Sequence, residues 1–522
     1  MVYSYRCPLQ LPELRSRIGQ FLSRNDLVAC SQVCKDWTND FSYLLWHTID
    51  FDVHMRFIEN SHHGITRHGH RIRVVQNLQE LEQLEILQHS SVCRLQSLSV
   101  TILDHDRFQE ICHAILGRNR DSLTYIGMLH ETTKDTSISD AMFNPETLLL
   151  ATSINGDIDN GIHITRVNKS INKTTAEFTK LTHLRFEGLA FSQSVFVSLL
   201  QMCPLLATLD IRDMSIVSAI PSISSSIYSL DNQQRYGFKH LKLTCLIAPI
   251  VLLFPTDHPA PTSDDNTSII LAHFPNLVQW RTWHKTNTTP PFALIKEQTS
   301  RWCPNLNQIC LEITSSQAVV DMLDQAFDRL NFICLEHKKL TPETLQAVIR
   351  HREFLEVIMT FDPSIGFYSM EHVPGTMQYI METDSAIQQM LRSCPRIKDF
   401  QLPEMEMDMN EAEKVEWACK NLEVFYVRIR GLETEEQITR VCRLWMEGKE
   451  QKRKLVAGKM RIGAGSVSFD DYENIEMNES SATSHVLSAV SGDLSIEERV
   501  LKFLSKFEKL KELWLGTKVW II

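Results

Sequence analysis

The sequence predicts an α/β chain in two parts: a short N-terminal helical module, then a long repeat array with a curved parallel sheet inside and helices outside. Three observations lead to this. Apolar residues near the N-terminus fall at helical spacing. One pattern, Cys-Pro-x-Leu-x-x-Leu-x-Leu or a close variant, occurs five times, and each copy follows a segment of helix-forming composition. At 522 residues the chain exceeds what one hydrophobic core serves, which calls for several domains or a repeat architecture. With 43% hydrophobic and 22% charged residues, its composition is that of an ordinary folded protein.

The module spans residues 7–47. Leu14, Ile18, Phe21 and Leu22 form one helical stripe, Pro12 suits the first helical position, and Glu13 complements the helix N-terminus. The run SRND at 23–26 ends this helix, and Asn25 or Asp26 can cap the next. A second helix runs through Leu27, Val28, Cys30, Val33 and Cys34. It leads to Trp37 and a third segment with Phe41, Leu44, Leu45 and Trp46. A unit of this size buries too little surface to fold alone and must lean on a neighbour.

These residues resemble an F-box. The Leu11-Pro12 opening is followed by Glu13-Leu14, Ile18, Leu22 and Asp26-Leu27. Val33-Cys34-Lys35-Asp36-Trp37 stands where the family has Val-Ser/Cys-Lys-x-Trp, and Leu45-Trp46 where it closes on a Leu/Val-Trp pair. Between Pro12 and Ile18 the chain is one residue shorter than the commonest F-box spacing. The resemblance implies docking on the Skp-type adaptor of a cullin-RING ubiquitin ligase. The residues it assigns to adaptor binding are Leu11, Pro12, Leu14, Ile18, Leu22, Leu27, Val33, Cys34, Trp37 and Trp46. Some of these fill the module's own core, and the sequence does not divide core from interface.

The repeat copies are CPLLATLDI from Cys203, FPNLVQWRT from Phe274, CPNLNQICL from Cys303, CPRIKDFQL from Cys394 and CKNLEVFYV from Cys419. The physical reading is a helix that stops at a small buried thiol, a proline that cannot continue it, and a short strand near the first leucine. Alternation then points residues such as Leu209 and Ile211 inward. Weaker copies are Leu95-Leu98-Val100, Leu181-Leu184-Phe186, Phe238-Leu241-Leu243, Leu330-Ile333-Leu335, Leu355-Ile358 and Leu510-Leu513-Leu515. Helix–loop–strand units at this spacing are the signature of a solenoid and resemble the leucine-rich repeats of F-box proteins. The expected layout is a connecting segment and start of the array at 48–94 and the array proper at 95–445, with a polar insertion at 129–176. A mobile insertion at 446–494 and a last repeat at 495–522 follow.

Several function classes are set aside on composition. The net charge of -11 gives no general attraction to nucleic acid or anionic membrane. The longest apolar run, residues 245–255, is far short of the roughly 20 residues that cross a bilayer and reads as buried strand and loop. MVYSYRCPLQ lacks the form of a secretory signal, so an intracellular protein, cytoplasmic or nuclear, is expected. Thirteen cysteines without paired spacing read as buried thiols, including Cys30 and Cys34 one helical turn apart. His54, His62, His63, His68 and His70 cluster without a completing carboxylate or thiol and read as a solvated loop, so no metal is expected. KEQKRK at 449–454 reads as a charged loop. No phosphate loop, nucleophile elbow or dinucleotide fingerprint is present, and neither cofactor nor enzyme activity is expected.

The expected function is recruitment of an unidentified protein substrate to a ubiquitin ligase, with the module as anchor and the repeats as selector. The alternative is an interaction scaffold acting outside any ligase. For substrate contact the one candidate is Trp283, beside Trp280, which occupies a core position of its repeat.

Overall fold

The computed structural model describes residues 11–53, 62–102, 106–130, 177–188, 190–212, 215–217, 238–254, 270–284, 289–361, 384–432, 434–462, 494–515 and 518–521. Residues 7–10 of the module, His54, the insertion from 131 to 176 and the segment 463–493 lie outside the described residues. The chain is α/β with a long parallel sheet and divides into two compact units. One comprises Met1–Trp283 and Glu297–Leu306, the other His284–Lys296 and Asn307–Ile522.

The first unit opens with three helices: α1 (Pro12–Gly19), α2 (Arg24–Ser31) and α3 (Lys35–His47). Pro12 occupies the first turn of α1, as its missing N–H allows. The cap of α2 is Ser23, not Asn25 or Asp26. Asp26 N–H donates to Ser23 Oγ and Ser23 N–H donates to the Asp26 carboxylate, each at 3.3 Å, a reciprocal box in which Asp26 is the closing residue.

The strands of this unit are β1 (Thr48–Asp50), β2 (Val74–Leu78), β3 (Ser97–Ile102), β4 (Tyr125–His130), β5 (His183–Glu187), β6 (Ala190–Ser192), β7 (Thr208–Arg212), β8 (Ser215–Val217), β9 (Cys245–Ile247) and β10 (Gln279–His284). Eight of them pair in parallel in the order β1-β2-β3-β4-β5-β7-β9-β10, while β6 and β8 form a separate parallel pair. Helices such as Leu81–His89, Asp106–Asn119 and Gln193–Met202 connect successive strands.

The second unit contains β11 (Gln308–Ile313), β12 (Phe332–Glu336), β13 (Val357–Phe361), β14 (Asp399–Met407), β15 (Val424–Ile429), β16 (Glu512–Leu515) and β17 (Lys518–Ile521). Pairing is parallel from β11 to β16, and β17 turns back antiparallel on β16. Helices Ser316–Gln325, Pro342–Ile349, Asp384–Ser393, Glu435–Ile462 and Ile496–Leu504 lie between the strands in sequence.

The recurrent motif has a local cause. Leu206 N–H donates to Cys203 O at 3.0 Å, Leu277 to Phe274 O at 3.1 Å, and Leu306 to Cys303 O at 3.0 Å, so each copy closes a four-residue turn after its helix. Proline as the second residue supplies the backbone angle this turn needs. Cys203, Cys394 and Cys419 are 0% exposed, and burial pushes their thiols up to about 12. Asn119, at the end of its helix, and His240, before β9, tie one repeat to the one before through their side chains. Asn119 Oδ1 accepts from Leu95 N–H at 2.8 Å, and the His240 ring meets Cys203 O at 2.8 Å through Nε2.

Register lines the apolar residues into rows. Ile49, Val75, Leu98, Ile126, Leu184, Leu209, Leu246 and Trp280 stand side by side in the first unit. Ile309, Ile333, Ile358, Phe400, Phe425 and Leu513 do so in the second. Both rows are almost fully buried.

Two expectations need correction, and two further points refine the repeat pattern. Residues 48–94, expected to hold the start of the array, contain β1, β2 and two helices. A copy at Leu123-Ile126-Met128 was missing from the sequence reading. The copy placed on Phe238-Leu241-Leu243 is displaced: Leu241 is exposed, whereas Leu243, two residues before β9, and Leu246, within it, are buried. Residues 446–462 are helical, because the helix from Glu435 continues to Ile462. KEQKRK therefore lies on a helix, with Lys449 Nζ donating to the carbonyls of Phe507 and Glu508 at 2.8 Å each.

Candidate partner-binding surfaces

The three-helix module turns one face of α1 inward and another outward. Arg15 and Gly19, one turn apart, are the buried residues of α1. Arg15 Nε donates to the Asp40 carboxylate at 2.6 Å, and Gly19 lies so close to Leu44 and Phe41 of α3 that an added Cβ would meet Phe41 Cε1 at 3.1 Å. Leu11, Leu14, Ile18 and Phe21, spaced by three, four and three residues, are all exposed, Phe21 to 88%. Val33 is 61% exposed, and Pro12 and Cys34 are exposed too. An unpartnered run of large apolar side chains on so small a module is the mark of an interaction surface.

The remaining residues assigned by the sequence divide differently. Leu27 and Trp46 are buried and belong to the module's core, and Leu22 and Trp37 are half-buried. Trp37 packs on Phe41 with ring centroids 5.4 Å apart, and Trp46 stacks on His68 at 5.1 Å. His68 ends a helix, His62–His68, and does not lie in a solvated loop; burial and the neighbouring Arg71 and Arg67 hold its ring below the usual histidine range. No group of three or more His, Cys, Asp or Glu side chains among the described residues is placed to hold a metal ion.

Trp283 is not a surface residue. Strand β10 runs on past Trp280 to His284, and inside it Trp283 is 7% exposed. Each sheet has a second face, formed by the strand residues that alternate with these buried rows.

In the first unit this face is polar. Arg185 and Asp210 are register neighbours, Arg185 Nη2 donates to Glu187 at 2.5 Å, and Arg212 Nε donates to both Asp210 oxygens at 3.1 and 3.2 Å. Glycine at 127 leaves room for the Tyr125 ring, whose hydroxyl oxygen would lie 2.9 Å from a Cβ there.

In the second unit the same face is apolar. Cys310, Cys334 and Met359 are aligned across β11, β12 and β13, and Phe332, Val357 and Phe361 pack around them. The row continues through Gln401 and Tyr426 to Trp514, whose ring centroid lies 4.9 Å from that of Tyr426. Sequence reasoning missed this face, although it left a signal. FICLE, VIMTF and VFYVRI are continuous apolar runs, as strands covered on both sides carry, whereas HLRFE in the first unit alternates.

A scan against protein-family models gives no match for the chain, and a search of curated proteins gives none either. No helix among the described residues is long and apolar enough to cross a membrane.

Proposed function

We propose that this chain is an F-box-type adaptor with a leucine-rich-repeat solenoid. Its N-terminal module docks on the Skp-type adaptor of a cullin-RING ubiquitin ligase, and its repeats recruit a protein substrate. The observation that carries the reading is the outward stripe of Leu11, Leu14, Ile18 and Phe21, held off the module's own core by Arg15 and Gly19. Leu11, Leu14 and Ile18 of this stripe coincide with the opening of the F-box pattern. The recurring strand–turn–helix units support the second half of the reading, since such units expose a long surface for protein recognition. In this role catalysis belongs to partner enzymes, and the chain acts by raising the local concentration of target lysines. An intracellular site of action, cytoplasmic or nuclear, goes with this reading.

Titration of a purified Skp-type adaptor into the full chain by calorimetry tests it. Wild type binds, and the variant Leu11→Ala, Pro12→Ala, Leu14→Ala loses roughly a hundredfold or more in affinity, because each leucine contributes about 1.5–3 kcal/mol when buried. Absence of wild-type binding overturns the proposal, and unchanged binding by the variant overturns the docking face. Co-purification of a cullin separates a ligase subunit from a scaffold acting outside the ligase.

A further inference from the structure

The second face of this unit's sheet combines half-buried apolar side chains, set around a buried centre, with half-buried carboxylates. Cys310, Cys334 and Met359 form the buried centre, and the half-buried Phe332, Val357 and Phe361 pack around it. Around that centre stand Asp399, in register between Val357 and Val424, Glu512 one strand beyond, and Glu336, opposite Phe361. None of Asp399, Glu336 and Glu512 is in an ion pair among the described residues. Lys398 pairs with Glu356 at 2.8 Å, Lys511 with Glu423 at 2.5 Å, and Arg430 with Asp408 at 3.1 Å.

Asp399 is held by Gln401 Nε2, which donates to both of its oxygens at 2.9 and 3.1 Å. That amide neutralises no charge. Burial pushes the Asp399 carboxyl up to about 6, Gln401 opposes the rise, and the Glu512 carboxylate adds to it. A carboxylate beside apolar surface with a second one nearby is a site where an incoming cation gains most. The apolar runs of β12, β13 and β15 call for a covering layer at the same place.

We propose that this face binds a segment of a partner protein whose apolar centre is flanked by Lys or Arg. The apolar residues lie over Phe332, Val357 and Phe361, one basic side chain reaches Asp399 and Glu512, and another reaches Glu336. Complementary charge fixes the register of the segment, and apolar burial supplies most of its affinity. That the segment belongs to a ligase substrate rests on the function proposed above; binding to the face does not.

The test is fluorescence anisotropy with the full chain and three labelled peptides: Lys-Arg-Leu-Val-Phe-Leu-Arg-Lys, the same centre flanked by Glu, and the same basic flanks around Ser. The first is expected to bind at least tenfold more tightly than either of the others. The double variant Asp399→Asn, Glu336→Gln should bind it at least tenfold more weakly than wild type while melting no lower. Equal binding of the Lys/Arg and Glu peptides, no binding of any peptide, or undiminished binding by the double variant overturns the proposal. So does a dimer that Val357→Lys dissociates, which assigns the face to a second copy. Adaptor titration on the same preparation reads the function separately: retained adaptor binding with failed peptide binding sinks only this inference.

Discussion

Arg15 and Asp40 join the middle of α1 to α3 through a 2.6 Å charge-assisted hydrogen bond, with Arg15 only 5% exposed. The pair fixes the rotation of α1 and thereby which of its side chains face solvent. Arg15→Ala is expected to destabilise the module by about 1–3 kcal/mol, less than a fully buried pair costs, because the Asp40 side chain, 25% exposed, can rehydrate. It should also weaken adaptor binding, since the apolar stripe loses its orientation. A thermal melt superimposable on wild type would remove the pair as the anchor.

Gly19 makes a complementary prediction. Gly19→Val drives new methyl groups into Leu44 and Phe41, and overpacking of this kind costs about 1–3 kcal/mol. The expected readout is loss of the module's cooperative unfolding at a lower temperature, with Ile18→Ser, which alters an exposed residue on the opposite side, as the neutral comparison.

The cysteines of the recurring turn are expected to behave as packing residues. Cys203, Cys303 and Cys394, pushed up to about 12 by burial, remain thiols at neutral pH. In the native chain, iodoacetamide should label the exposed Cys34 and Cys93 first and leave these three protected. Each should tolerate Ala or Val but not Asp, which would bury an unpaired carboxylate. A Cys→Ala variant that is inactive yet fully stable would overturn this assignment.

Asp399 gives a pH prediction with a definite sign. Its folded value of about 6 lies above its ordinary value of 3.8, so the folded chain binds the proton more tightly than the unfolded chain. Stability from this group is therefore present below pH 4 and lost as pH rises to 6. Asp399→Asn should raise stability at pH 7.5 by about 1–3 kcal/mol and leave it nearly unchanged at pH 4. Melting curves at the two pH values check this, and equal shifts at both would contradict it.

The architecture was legible where one residue type is forced by geometry. The three Cys-Pro turns and their variants at Phe274 and Cys419 located five strand entries, and Leu209 and Ile211 face the buried side as alternation requires. It was illegible where the turn uses another solution. The copy at Leu123 follows Asn119, whose amide replaces the thiol, and the strand at β9 follows His240, so neither displays the pattern. The helix through KEQKRK was taken for loop because its exposed face is charged. Among the residues whose burial is described, its buried ones, Ile438, Val441, Cys442 and Trp445, all precede the charged run. On the candidate site, the sequence found the outward residues Leu11, Leu14 and Ile18 but also named Leu27 and Trp46, which are core; both classes are apolar at helical spacing, and only packing separates them. Trp283 was misplaced because the length of β10 was not readable from its repeat alone.

α3 passes into β1 between His47 and Thr48 with no residue left over as a joint, and Arg24 Nη1 reaches Thr48 O at 3.5 Å across the junction. The module and the first strands therefore turn as one piece, and the length of α3 acts as a setting for where the apolar stripe points. Adding one residue to that helix would swing the stripe by about 100° and advance it by about 1.5 Å while leaving every side chain on it unchanged. Aim, as distinct from affinity, is thus written in the residue count of a single helix.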